Sequence, residues 1–290
     1  MTTELAFIAA LRALATHPGA RGLDDDCALL EIGGETLVLT HDAMVEGVHF
    51  LAGQDRADVA WKLVATNLSD LAAKGAAPLG VLLGYQLGAN DARFLEGLAE
   101  ALKAFDVPLL GGDTVGGAGP QSLGLTAIGR ATHRPVPSRG GARGGDEVWL
   151  TGAVGGAMVG LERLRAGSGE STAYRRPVPR LAEGQALAPL ATAMMDVSDG
   201  LLLDALRLAR ASTACLALDT ALVPLACPEA RRAEALRWGD DYELLFTLRS
   251  GAACPVRATR IGTVLDGPAG TLRIGNSIIE SAENLGFQHS

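Results

Sequence analysis

Aromatic residues make up only 4% of this 290-residue chain, so Ala, Leu and Gly must carry most of the packing. Paired cysteines are missing too. Cys27, Cys215, Cys227 and Cys254 are scattered, with no Cys-x-x-Cys among them. With no signal-peptide pattern at the start, that scatter reads as a protein of the reducing cytoplasm. No apolar run approaches the ~18–20 residues that a membrane helix requires. Excess positive charge is also absent. The formal net charge is −8, which argues against a nucleic-acid or anionic-membrane surface. No short-period repeat occurs. Charged residues are 20% against 48% hydrophobic, so the chain can build a real core and is not disordered. Its length suits one large domain or two ordinary ones.

What the chain does have is glycine, at 37 residues, and aspartate in short clusters from one end to the other. The clusters are Asp24-Asp25-Asp26, Thr40-His41-Asp42, Asn67-Leu68-Ser69-Asp70, Gly111-Gly112-Asp113-Thr114, Asp196-Val197-Ser198-Asp199-Gly200 and Gly239-Asp240-Asp241-Tyr242-Glu243. Most sit where an apolar run ends and a loop is expected. Carboxylates brought together repel one another and must protonate or bind cations. Hard oxygen ligands in that number suit Mg²⁺ better than zinc or copper, and Mg²⁺ suits a polyphosphate substrate. The acidic balance points the same way, because an anion such as ATP is held at acidic clusters only with metal between them. The residues therefore point to Mg²⁺-dependent phosphoryl transfer.

The periodicity predicts helices over 3–16 (stripe Leu5, Ile8, Leu11, Ala15), 56–74, 91–104, 156–165 and 180–192, and one after Gly200. On the second, Asn67 and Asp70 lie one turn apart on a shared face. Strands are expected over 36–40, 79–87, 107–110, 122–130, 147–151, 194–196, 242–248 and 260–265. Asp42 and Gly111-Gly112-Asp113 then follow strand ends, and Ser198 or Asp199 caps the helix after Gly200. Residues 133–145, rich in Pro, Arg, Gly and Ser, read as a connection between two domains, 1–135 and 136–290. Each half carries a strand, a glycine-acid loop and a helix.

Taken in order, the clusters match a known pattern. Asp25-Asp26-Cys27-Ala28-Leu29, Asp42 through Phe50, Asn67 through Ala76, Gly111-Gly112-Asp113-Thr114, Asp196 through Leu201 and Asp241-Tyr242-Glu243-Leu244 all recur with sensible spacing. The chain resembles the thiamine-monophosphate kinase family, of the superfamily that includes aminoimidazole ribonucleotide synthetase and selenophosphate synthetase, over roughly residues 4 to 288. The resemblance implies an α+β fold. Its N-terminal domain has a sheet that pairs across a homodimer, and a C-terminal α+β domain completes the active site. It also implies ATP as co-substrate, several Mg²⁺ ions, and transfer of the γ-phosphoryl group to thiamine monophosphate. No Gly-x-x-x-x-Gly-Lys-Ser/Thr occurs here, so metals must replace a P-loop cradle.

Residue by residue, the resemblance assigns Asp25, Asp26, Asp42, Asp70, Asp113, Asp196 and Asp199 to metal. Gly112, Asp113, Arg139 and Ser198 go to ATP, and His49, Asp240 and Asn284 to the acceptor. Each has a plainer reading. Three aspartates in a row form a solvated turn, Asp70 a surface ion pair, Ser198 and Asp199 a helix cap, and His49 a structural histidine. The chain departs from the family's pattern at Asp24, His41, Gly116, Trp238, Asp240 and Asn284. The departures concentrate at the acceptor end, with Asn284 where a stacking aromatic is expected and Phe287 three residues on. Two alternatives follow: the same fold acting on another phosphorylated acceptor, or a catalytically weak nucleotide-binding paralogue. No residue reads as an activated nucleophile, so direct in-line transfer is expected, without a general base because the acceptor phosphate is already anionic.

Overall fold

The computed structural model of the protein describes residues 4–288. The first helix, α1 (Glu4–Arg12), is shorter than the stretch 3–16 anticipated from periodicity, and residue 3 lies outside the described residues. Phe7, Leu11 and Leu14 remain exposed, so α1 lacks the core contact that would prolong it. A strand not anticipated, β1 (Ala28–Ile32), turns into β2 (Glu35–Val45) through Gly33 and Gly34, both at positive φ (60° and 85°). That two-residue loop needs glycine, because its twist matches the strands only with both residues left-handed.

Next come α2 (Arg56–Ala73), β3 (Ala76–Gln86), α3 (Asp91–Ala104), β4 (Leu109–Val115) and β5 (Ser122–Ala131). They complete a five-stranded sheet in the order β1-β2-β5-β3-β4. The β3–β4 pair is parallel, joined by α3, and the other pairs are antiparallel. Two expectations fail here. Asp42 lies inside β2, opposite Leu125, because the apolar alternation continues through Met44. Gly111-Gly112-Asp113 lies inside β4, an edge strand exposed along its whole length.

Chain 147–279 forms the second sheet. Its elements are β6 (Glu147–Thr151), α4 (Gly156–Arg165), α5 (Thr172–Arg175), α6 (Leu181–Leu187), β7 (Ala193–Asp196), α7 (Leu201–Ser212), β8 (Cys215–Leu218), α8 (Arg232–Ala235), β9 (Leu244–Leu248), β10 (Ala258–Leu265), β11 (Thr271–Ile274) and β12 (Ser277–Ile279). The strand order is β12-β11-β8-β10-β6-β9-β7. The architecture is α+β, as the resemblance implied. No helix among the described residues is long and apolar enough to cross a membrane.

The element that positions the site is α2. It packs on β2, β3 and β5 on one side and on α6 and β7 on the other. All its residues except Trp61 and Asp70 are buried. A helix buried all round is normally apolar all round. This one carries Asp58, Lys62, Thr66 and Asp70, with Lys74 at its C-cap, at intervals of four residues. That spacing stacks them on one face. The close α2–α6 contact rests on Gly184, where a Cβ would meet the carbonyl oxygen of Ala72 at 2.0 Å.

Candidate active site

Lys62, Thr66 and Asp70 from this stripe line a cavity of about 620 Å³ between the two sheets. Asp42 enters from β2, Asp25 and Asp26 from the segment before β1, and Arg139 from the connection between the sheets. Asp196, Ser198 and Asp199 enter from the end of β7, and Trp238 and Asp240 from the loop before β9. Of the expected site residues, the cavity collects Asp25, Asp26, Asp42, His49, Asp70, Arg139, Asp196, Ser198, Asp199 and Asp240.

The deepest group is Asp26, Asp70 and Asp196, each offering an oxygen within 4.8 Å of the others. Backbone and hydroxyl groups hold the triad in place. The Thr40 hydroxyl donates to Asp70, and Ser69 Oγ donates to Asp196 Oδ2 at 2.6 Å across the α2–β7 contact. Asn67 does not face the cavity. Its Oδ1 accepts from the Asp42 amide at 2.9 Å and its Nδ2 donates to Leu63, which pins β2 to α2. Burial drives Asp70 well above the usual carboxylate range, helped by the charges of Asp42, Asp196 and Asp26. Burial and the Asp26 charge push Asp196 up to about 8. Burial, with the Asp199 and Asp26 charges, raises Asp42 as well. Burial would raise Asp26 too, but the adjacent Arg139 and Lys74 more than offset it and hold it low. Carboxyls raised in this way by burial and by one another's charge are relieved by a bound cation.

Lys74 Nζ lies 2.6 Å from Asp26 Oδ2, close enough for charge but out of line for a directed hydrogen bond. That buried oxygen therefore keeps no hydrogen-bond donor. Carboxylate oxygens of Asp26, Asp70 and Asp196 within 4.8 Å of one another are a hard donor set that fits Mg²⁺ and fits a soft metal poorly.

Asp199 pairs with Arg207, and the side chain of Asp204 accepts from the amides of Ser198 and Asp199 at 3.1 and 3.0 Å. The expected cap is thus reversed: Gly200 (φ 117°) starts α7 without a side-chain bond, and the helix's own Asp204 organises the loop before it. Arg139 donates from Nε to Asp26 Oδ1 at 2.8 Å.

At the other end, Asp240 accepts from Lys62 Nζ at 2.8 Å and from the Tyr242 hydroxyl at 2.9 Å. Asp240 and Tyr242 both sit at positive φ (66° and 52°). Their amides donate to Ser198 and Val197 at 2.8 Å, which holds this unfavourable backbone against the β7 loop. Lys62 also donates to the His49 carbonyl and lies 4.0 Å from the centre of the Tyr174 ring. His49 Nδ1 accepts from the Val45 amide at 3.0 Å.

Three expected residues lie elsewhere. Asn284 does not line the cavity, and its carbonyl accepts from Arg237. The chain reverses there at positive φ (59°) and presents Gly286 and Phe287 instead, with the Phe287 amide bonded to the Asp199 carbonyl at 2.9 Å. Gly112 and Asp113 sit on exposed β4, three strands from Asp42 in the sheet order, or about 14 Å at ordinary strand spacing. Gly112 is demanded locally: a Cβ there would meet the Leu83 carbonyl oxygen at 1.9 Å. Sequence reasoning missed Lys62, Lys74 and Asp204. The four-residue polar interval on an otherwise apolar helix was the available signal for the two lysines.

Two stacked α+β layers around an acidic cleft, with no P-loop, define a class: residues 24–131 match the family described as AIR synthase related protein, N-terminal domain. The chain is 39% identical over 248 residues to the thiamine-monophosphate kinase of Escherichia coli strain K12, covering 78% of this chain and 76% of that one. It is 38% identical over 299 residues to that of Caulobacter vibrioides, covering 91% and 85%. A solved structure of AaThiL complexed with AMPPCP and TMP aligns with a TM-score of 0.88 at 27% identity, covering 99% of this chain and 97% of the other. The chain belongs to the thiamine-monophosphate kinase family and is an enzyme of that class.

Proposed function

We propose that the protein transfers the γ-phosphoryl group of ATP to thiamine monophosphate, in line and without a covalent intermediate, in a Mg²⁺-dependent reaction. The observation that carries this reading is the buried Asp26–Asp70–Asp196 triad at one end of a cavity whose other end is walled by Asp240, Trp238 and Phe287. Asp26, Asp42, Asp70, Asp196 and Asp199 are the carboxylates that would hold Mg²⁺. When bound, the metal supplies neutralisation of the polyphosphate charge.

The chain's own groups do the rest. Arg139, anchored on Asp26, orients the ATP phosphates, and Ser198 at the start of the α7 loop offers them a hydroxyl. His49 and Asp240 position the acceptor. Asp240 is fixed by Lys62 and Tyr242, so it meets a cationic or amino-bearing acceptor without reorganising. Trp238 and Phe287 supply the apolar wall that Asn284 does not. Asp196 is buried on β7, while Asp70 keeps partial exposure and lines the cavity with Asp26, so the triad opens on the side from which substrate enters. Gly112 and Asp113 join the site from a second copy, because β4 is an unpaired sheet edge that holds them away from the cluster of their own chain. The functional assembly is therefore a homodimer paired through the five-stranded sheets, and the working location is the cytoplasm.

Asp70→Asn tests the role of the triad. It removes one ligand charge while the Thr40 contact and the helix remain, so turnover should fall at least ~100-fold with the thermal unfolding temperature of the metal-free protein unchanged or higher. Near-normal turnover in a folded Asp70→Asn protein would remove the metal-bridge reading.

A further inference from the structure

The inner end of the acidic site already contains a cation. Lys74 is fully buried at the C-cap of α2 and its side chain has no exposure. Its Nζ meets three oxygens from two separate parts of the chain: Asp25 Oδ1 and Asp26 Oδ2 (the latter at 2.6 Å) from the segment before β1, and the Met194 carbonyl of β7 at 3.1 Å. The ammonium donates to the Asp25 and Met194 oxygens, and its charge faces Asp26 Oδ2 beside them. Asp25 is saturated in turn. Its Oδ1 also accepts from the amides of Asp26 (3.0 Å) and Arg139 (3.3 Å), and its Oδ2 takes Arg21. Arg21 is itself tied to the carbonyls of Val136 and Pro137, so it is not free to leave.

We propose that Lys74 is a resident substitute for a divalent cation: it permanently occupies the space between Asp25 and Asp26, so Asp25 is a lysine partner and not a metal ligand. The proposal rests on the Mg²⁺ reading above and narrows it. The metal positions begin at the face of Asp26 turned toward Asp70 and Asp196, and the site holds one divalent ion fewer than its carboxylates would otherwise take. The geometry favours a fixed ammonium. Two oxygens from the segment before β1 and one from β7 converge on one point at nitrogen-to-oxygen distances, whereas Mg²⁺ demands about 2.0–2.1 Å and near-octahedral coordination with retained water. A tethered cation costs no binding step, and it screens Asp25 from Asp26 in the absence of any metal.

The test is a count of bound Mn²⁺ per chain by equilibrium dialysis with a non-hydrolysable ATP analogue at saturation. Wild type, Lys74→Met and Asp25→Asn are compared. Lys74→Met keeps the side-chain volume and should bind one more Mn²⁺ per chain than wild type, with an unfolding temperature that rises more steeply with Mn²⁺. Asp25→Asn leaves Lys74 on Asp26 and should bind the wild-type number, which keeps the proposal testable if Lys74→Met does not fold. Equal non-zero counts in wild type and Lys74→Met, or one ion lost in Asp25→Asn, would overturn the assignment of Lys74. No Mn²⁺ in any of the three chains would overturn it together with the metal-dependent reading on which it rests.

Discussion

Replacing Lys62 by Met separates the acceptor end of the site from the metal end. Lys62 is buried (side chain 1% exposed) and lies 2.8 Å from Asp240, whose side chain is 30% exposed. At an effective dielectric constant of ~20 the pair attraction is about 6 kcal/mol. Partial exposure of Asp240 roughly halves that, and removing the ammonium also removes its own desolvation cost of a few kcal/mol. Lost attraction to the Tyr174 ring adds about 1 kcal/mol. The net expectation for Lys62→Met is a loss of ~2 kcal/mol, below the ~3–5 kcal/mol seen when a fully buried charge is orphaned, because water reaches Asp240. Urea unfolding of wild type, Lys62→Met, Asp240→Asn and the double variant measures it. The double variant should be more stable than the sum of the singles predicts, by at least ~1 kcal/mol. In steady-state kinetics Lys62→Met should raise KM for thiamine monophosphate about tenfold or more and leave KM for ATP within about twofold, since the groups released, Asp240 and the His49 carbonyl, belong to the proposed acceptor end. Strict additivity in the cycle, or equal effects on both KM values, would refute the positioning of Asp240 by Lys62.

Other consequences are as direct. Burial raises Asp70 well above the usual carboxylate range and pushes Asp196 up to about 8, so the proposed Mg²⁺ binding should be accompanied by proton release. Apparent Mg²⁺ affinity should therefore rise with pH through about 8 and flatten above it. Calorimetry at pH 7 in buffers of different ionisation heat should show net proton release, and proton uptake would contradict the assignment. Gly184→Ala drives a methyl group against the Ala72 carbonyl and should cost at least ~2 kcal/mol in urea unfolding. A neutral result would mean that α6 moves freely against α2.

Much of the fold was legible where one face of an element is buried. The expected spans 91–104 and 56–74 for α3 and α2 agree with the structure to within a residue, because their apolar periodicity matches the face that packs. What was not legible depended on pairing. Asp42 and Gly112-Asp113 read as strand-end residues because acids and glycines break an apolar run locally, yet neighbouring strands carry β2 and β4 straight through them. The short strands β8, β11 and β12 are specified by their partners in the seven-stranded sheet more than by their own few residues. At the site, motif order marked the cavity aspartates without showing their counter-charges. Lys62 and Lys74 look like ordinary helix-surface lysines until the other sheet covers α2. Phe287 reaches the cavity where Asn284 was aligned because the chain turns at Asn284, a backbone event that residue spacing does not report.

Phosphorylation of thiamine monophosphate in this acidic cavity is the reaction on which the proposed function stands. The measurement that tests it most directly is product analysis after incubating the pure protein with ATP, Mg²⁺ and thiamine monophosphate, beside a control with the metal chelated. Thiamine diphosphate and ADP should form in equal amounts, and only with the metal present. Folded, ATP-binding protein that forms no thiamine diphosphate, or forms it equally well without divalent metal, would refute a metal-dependent kinase.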